Sequence, residues 1–174
     1  MKHTGIIVSF FAAIGLALVA LNVRADRLHE GLAAYEVSAF DRARRLLVPE
    51  ARSGSAVAQY FLGFMAHAGQ TGRPDFHEAR RWYLQAAAQN HPQALFALGL
   101  MYEYGQGVAP DKSRAADYFY RAGRAYLAAG HRLELMACLQ AMQRAHPEHP
   151  LFRKLYRESR REINAQATAS GPPA

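Results

Sequence analysis

The chain has 174 residues, of which 51% are hydrophobic and 20% charged, and it carries a formal net charge of +7. That length suits one domain plus a short targeting segment, and that apolar content excludes a wholly disordered chain. A single cysteine, Cys138, excludes an intrachain disulfide.

The first 25 residues stand apart from the rest. Lys2 and His3 begin a run that is apolar from Ile6 to Leu21 apart from Ser9, and Asn22-Val23-Arg24-Ala25 follows. A basic start, a short apolar stretch and small residues before a cut describe a secretory signal peptide, with cleavage expected after Ala25. The rival is an uncleaved anchor in the inner membrane, facing the periplasm. A helix over 6–21 reaches only about 24 Å, against a hydrocarbon core of about 30 Å, so the signal peptide is preferred. Removing Lys2 and Arg24 leaves 19 basic against 14 acidic residues, a charge of +5.

Helical spacing then recurs to the end of the chain. Leu28, Leu32 and Tyr35 predict a helix over 27–38. Phe40, Ala43, Leu46, Leu47 and Ala51 predict another over 40–53, bent at Pro49 and stopped by Gly54. Residues 56–68 and a helix after Asp75 form a clearer pair, joined by Gly69-Gln70-Thr71-Gly72-Arg73-Pro74-Asp75. Asn90 suits a left-handed helix end, and Pro92 a helix start. Residues 93–104 pair in turn with a helix from about Lys112 to Ala129, across Gly105-Gln106-Gly107-Val108-Ala109-Pro110-Asp111. Helices over 132–145 and about 151–164 follow, and 165–174 reads as a frayed tail. The fold class is all-α, with about eight helices between residues 26 and 164.

These helices repeat with a period of 36 residues. Ala43, Ala79 and Ala115 form one column, Leu46, Trp82 and Tyr118 a second, and Leu47, Tyr83 and Phe119 a third. Gly63/Gly99, Met65/Met101, Gly69/Gly105 and Asp75/Asp111 recur in pairs. Such a period marks stacked units that cannot bury their apolar faces alone. Asp75 and Asp111 stand where a carboxylate can accept backbone N–H bonds at a helix start. Gly105 and Gly107 supply torsions that a loop of this kind needs.

Residues 94–108, with Pro110-Asp111, Ala115 and Tyr118-Phe119, resemble a Sel-one-like repeat, a relative of the tetratricopeptide repeat. Residues 58–93 match less fully, and 40–54 resemble only the second helix of a unit. From Ala116 onward Gly123, Tyr126, Gly130, Leu135, Leu139, Met142 and Pro147 resemble the tetratricopeptide spacing itself. The resemblance implies a right-handed α-solenoid of antiparallel helix pairs, structurally defined by Gly63, Gly99, Gly105, Gly107, Asp75, Asp111, Ala79 and Ala115. It also implies scaffold or adaptor work between proteins, which in exported bacterial relatives serves the cell envelope.

By the same resemblance the first helix of each pair lines the concave face. Tyr60, Phe64 and His67 would lie there around Gly63; Phe96, Leu100, Glu103 and Tyr104 around Gly99; Tyr120 and Arg124 around Gly123. An aromatic groove of this kind suits a peptide or helix of another protein. For any single aromatic, packing between helices is the blander reading.

Catalytic and metal motifs are sparse. His146-x-x-His149 is flanked by Pro147 and Pro150 and reads as a linker rather than a zinc site. Gly105-Gln106-Gly107 lacks the strand and lysine of a phosphate loop. Glu103 and Asp111 are the nearest paired carboxylates, explained by a surface charge and a helix cap. The reading is therefore an exported, periplasmic or secreted, non-catalytic scaffold without cofactor or metal and without nucleic acid as partner. The alternative is a cell-wall-glycan-binding or hydrolytic envelope protein on the same solenoid. Membrane contact would come through an uncleaved 6–21 segment or weakly through the basic helix after 150. Stacking on a second copy stays open.

Overall fold

A computed structural model describes residue 23 and residues 25–169. Among the described residues there are eight helices and no strand: α1 (25–36), α2 (Phe40–Arg52), α3 (Ala56–Ala68), α4 (Phe76–Ala88), α5 (Pro92–Tyr104), α6 (Lys112–Ala128), α7 (Arg132–Ala145) and α8 (Pro150–Ala169). From α2 to α7 the packing runs mainly between neighbours in sequence, closest for α3 with α4, α5 with α6 and α6 with α7, the order of an α-solenoid. Most of the expected signal segment and residues 170–174 of the expected tail lie outside the described residues. The last helix runs to Ala169, five residues beyond the expected end at 164, because no glycine or proline interrupts 151–169.

Local signals set the helix ends. The side chains of Ser55, Asp75 and Asp111 accept the backbone N–H groups of Ala58, Glu78 and Arg114 at 3.3, 2.8 and 2.9 Å. Asn90 adopts φ +59°, and the His91 N–H then closes back onto the Ala86 carbonyl at 3.1 Å. The helix α2 continues through Pro49 for three further residues; the lost amide lies in the last turn, where few bonds depend on it.

The two long loops are copies of each other. The Asp75 N–H donates to the Ala66 carbonyl at 2.9 Å, and 36 residues later the Asp111 N–H donates to the Tyr102 carbonyl at 2.8 Å. Gly69 and Gly105 sit at φ +68° and +71°, and a Cβ at either would fall within 2.8 Å of the following proline. Left-handed backbone and proline contact together require glycine there.

The core repeats in the same way. Ala43, Ala79 and Ala115 are fully buried, as are Leu47, Tyr83 and Phe119 to within 1%. Small and large residues interlock across each pair. A Cβ on Gly63 would lie 2.7 Å from the Tyr83 ring, and one on Gly99 would lie 2.4 Å from the Phe119 ring. Gly31 on α1 receives Leu47 of α2 with the same fit, at 2.8 Å. Residues 40–54 are thus the second helix of a pair, as the resemblance has it, and the helix expected over 27–38 supplies the first. The helix α1 is its first partner, joined by a turn too short to hold the long loop on which recognition depends. Arg27 of α1 also donates to the buried Glu50 of α2 at 3.0 Å.

The pattern changes inside α6. Its first half carries Ala115 and Phe119, turned to α5; its second half carries Gly123 and Tyr126. Gly123 receives Leu155 of α8, 2.5 Å from an ideal Cβ, with Cys138 of α7 beside it at 3.3 Å. The helix α8 thus closes the end of the stack against α6 and α7.

Candidate functional site

The first helices α3 and α5 run side by side and enclose a groove of about 300 Å³, a volume at the lower limit of ligand pockets. Tyr60, Phe64 and His67 line it from α3, and Phe96 and Leu100 from α5. Helical spacing produces this: residues four apart share a face, and the repeat glycines let α4 and α6 pack closely behind. Tyr60 lies 6.3 Å from Phe64 and 6.0 Å from Tyr83, ring to ring, and stacks on His91 at 5.0 Å. Burial holds the imidazoles of His67 and His91 below the ordinary histidine range, so both are neutral at neutral pH. The groove is consequently an uncharged, aromatic surface with a few polar atoms.

Five of the nine expected partner-binding residues converge here: Tyr60, Phe64, His67, Phe96 and Leu100. Glu103 and Tyr104 lie outside the groove lining, about one turn farther along α5. Glu103 is held by Arg144 of α7 in a two-pronged pair, Nε to Oε1 at 2.7 Å and Nη2 to Oε2 at 2.9 Å. The same guanidinium lies 6.0 Å from the ring of Tyr104, which is 58% exposed.

Tyr120 and Arg124 do not join the groove. With Leu155 seated on Gly123, the positions flanking that glycine face α8 instead. Lys154 stands 5.7 Å over the Tyr120 ring, and Arg124 pairs with Glu158 at 3.8 Å. The tetratricopeptide register placed them on a groove-lining helix; α6 is already the second helix of the preceding pair, and α8 covers that flank.

Tyr83, Gln93, Ala97 and Tyr126 also line the groove, though sequence reasoning gave the two tyrosines only as members of the repeat spacing. A signal existed for Tyr83: it is the hydroxyl-bearing member of a column whose other members are Leu47 and Phe119. Gln93 and Ala97 carried none.

Groups that could do chemistry are engaged otherwise. Asp111 caps α6, and Glu103 is paired with Arg144. Cys138 is buried, and burial followed by the nearby Glu134 charge pushes its thiol up to about 12, far from a reactive thiolate. His149 Nε2 lies 3.4 Å from Ser113 Oγ and 3.7 Å from Asp117 Oδ1. Both neighbours meet the same ring nitrogen, whereas a Ser-His-Asp relay needs opposite ones. His146 ends α7 and Pro150 begins α8, so the His146–His149 stretch is the linker between them. Among the described residues no group of three or more His, Cys, Asp or Glu is placed to hold a metal ion, and no helix is long and apolar enough to cross a membrane.

The Sel1 repeat family profile matches residues 56–91 and 92–126. Those spans coincide with α3–α4 and α5–α6, so the chain carries two Sel1 repeats. A Sel1 repeat protein from Oxalobacter formigenes is similar in structure, with TM-score 0.54 and 21% identity over 68% of this chain and 55% of that one. A protective antigen of uropathogenic Escherichia coli strains, with an SLR fold, gives TM-score 0.59 and 20% identity over 87% of this chain and 33% of that one. The chain thus spans about half and a third of those two structures, and the likeness is one of fold. No curated protein matches the sequence.

Proposed function

We propose that this carrier of two Sel1 repeats is an exported, non-catalytic adaptor of the bacterial envelope that holds an apolar segment of another protein between α3 and α5. Sel1 repeats are protein-interaction scaffolds. The observation that carries the finer reading is the groove itself: aromatic, uncharged and open beside the exposed Phe64. An apolar side chain inserted there would gain burial against rings already fixed by packing, at little further ordering cost. The volume suits one or two anchor side chains of an extended peptide or helix better than a complete small molecule. Export rests on residues 1–25, whose pattern is that of a signal peptide.

Immobilised full chain incubated with envelope extract should retain a partner saturably. Phe64→Ala, which removes a ring that is 37% exposed, should weaken retention by roughly tenfold with helicity unchanged. Phe96→Ala should weaken it too, though that ring also packs 5.1 Å from Phe119, so its folding must be checked by circular dichroism. Undiminished retention by both variants would remove the partner from the groove. Mass measurement of protein from cells tests export: cleavage leaves a chain beginning at Asp26, and an intact Met1 terminus would instead support a retained anchor.

A further inference from the structure

The face of α5 opposite the groove carries a different assembly. Tyr102 follows Leu100 by two residues, about 200° round the helix, and so turns away from the groove. Its hydroxyl accepts from Arg80 Nη2 of α4 at 3.2 Å and from Arg114 Nη1 of α6 at 3.3 Å. The ring stacks on Tyr118 at 5.6 Å and 13°, with Arg114 5.0 Å over Tyr102 and Arg121 5.8 Å over Tyr118. Arg114, Tyr118 and Arg121 share one stripe of α6 and border an open cleft of about 450 Å³.

Three guanidiniums therefore gather on this face against two carboxylates, Asp111 and the cleft-lining Asp117. Arg114 has Asp111 at 3.7 Å, while Asp117 at the cleft edge is turned to His149 at 3.7 Å. Among the described residues neither Arg80 nor Arg121 has a carboxylate within ion-pair distance, and the buried Nε of Arg80 has no acceptor. Arg121 spends one Nη on the Ala87 carbonyl at 3.0 Å and the Asn90 side chain at 3.4 Å, which leaves further donors for a ligand. Although burial raises the Tyr102 phenol, the hydrogen bonds and charges of Arg80 and Arg114 more than reverse it and hold it below its ordinary value. That is the response expected of a site whose field favours an anion.

We propose that this cleft binds a carboxylate-rich segment of a polypeptide, with Arg114 and Arg121 as the contacting forks and the Tyr102–Tyr118 stack as the wall beneath them. Guanidinium forks match planar carboxylates two bonds at a time, and each fork here lies against one of the stacked rings, Arg114 on Tyr102 and Arg121 on Tyr118. The cleft is open, and most of its lining residues come from α6, which fits an extended chain lying on that helix. It is separate from the groove, so one protein could hold an apolar anchor on one face and an acidic segment on the other.

The test is fluorescence anisotropy of a labelled hexaglutamate peptide with the full chain at low salt. Saturable binding should weaken as salt is raised, and Arg114→Gln/Arg121→Gln should reduce affinity about tenfold. Tyr102→Phe alters no charge at neutral pH and should still cost several-fold by releasing the Arg114 fork. Arg157→Gln/Arg160→Gln on α8, the denser basic stretch, should change affinity less than about twofold. An equal loss from the α8 variant would reduce the effect to general positive charge and overturn the site. So would binding of inorganic phosphate or polygalacturonate without binding of hexaglutamate. Phe64→Ala should leave hexaglutamate binding intact, which separates failure here from failure of the groove reading.

Discussion

The regular pair α5–α6 and the closing group α6–α8 use one packing device on two different sequence backgrounds. In the first, Gly99 receives Phe119 at the spacing that also joins Gly63 to Tyr83. In the second, Gly123 receives Leu155 from a helix two elements away, outside any period. A small residue facing a large one is thus the physical rule of this fold, and the repeat is only its most regular expression. Between the two regular pairs a groove lies open between the first helices α3 and α5. At the closing group α8 lies over Gly123 instead.

The comparison breaks most visibly in the large partners. Phe119→Ala should cost about 4 kcal/mol in urea unfolding, since a fully buried ring leaves a cavity between two repeat helices. Leu155→Ala should cost about 3 kcal/mol, with hydrogen exchange rising in α7 and α8 while α3 and α4 stay protected. Exchange spreading evenly through the chain would show that the closing group is no separate unit. The small partners give the next effect. Gly99→Ala should lose about 2 kcal/mol, because the Phe119 ring is confined on every side and the clash exceeds the helix propensity gained. Gly123→Ala should lose about 1 kcal/mol, since its nearest neighbour is a Leu155 methyl on the terminal helix. A reversed order would put the more rigid packing in the closing group.

Smaller effects follow where the two regions meet. Arg144→Ala removes the pair that links α5 to α7; with that side chain 52% exposed, the loss should be about 1 kcal/mol and should shrink in high salt. Cys138 gives the least at neutral pH. Its folded-state value of about 12 exceeds the unfolded value of 9.0, so the unfolded chain sheds its proton first and stability falls as pH rises from about 9 toward 12. At pH 8 the native thiol should resist alkylation, and rapid labelling there would place Cys138 outside the core.

Much of this was legible in advance because helix caps and turns are local. Asp75, Asp111, Asn90 and Pro92 act within a few residues of where they stand, and the structure uses each as its chemistry suggests. Tyr60, Phe64, His67, Phe96 and Leu100 could likewise be placed together, because the resemblance to tetratricopeptide-like pairs puts the first helix of each pair on the concave face. Tyr120 and Arg124 could not. Their environment depends on α8, which returns to Gly123 across more than thirty residues, and nothing within α6 encodes that return. The Tyr102 cleft was hidden for the same reason: Arg80, Tyr102 and Arg114 come from three helices, and each alone reads as an ordinary surface or packing residue.

The sequence by itself determined the helices, their pairing and the positions of the repeat glycines Gly63 and Gly99, because those follow from periodicity and backbone preference over short distances. Only the tertiary structure decided which face stays open, which is closed by α8, and where three arginines gather. Those outcomes depend on burial between elements far apart in the chain, and burial is a property of the whole packing.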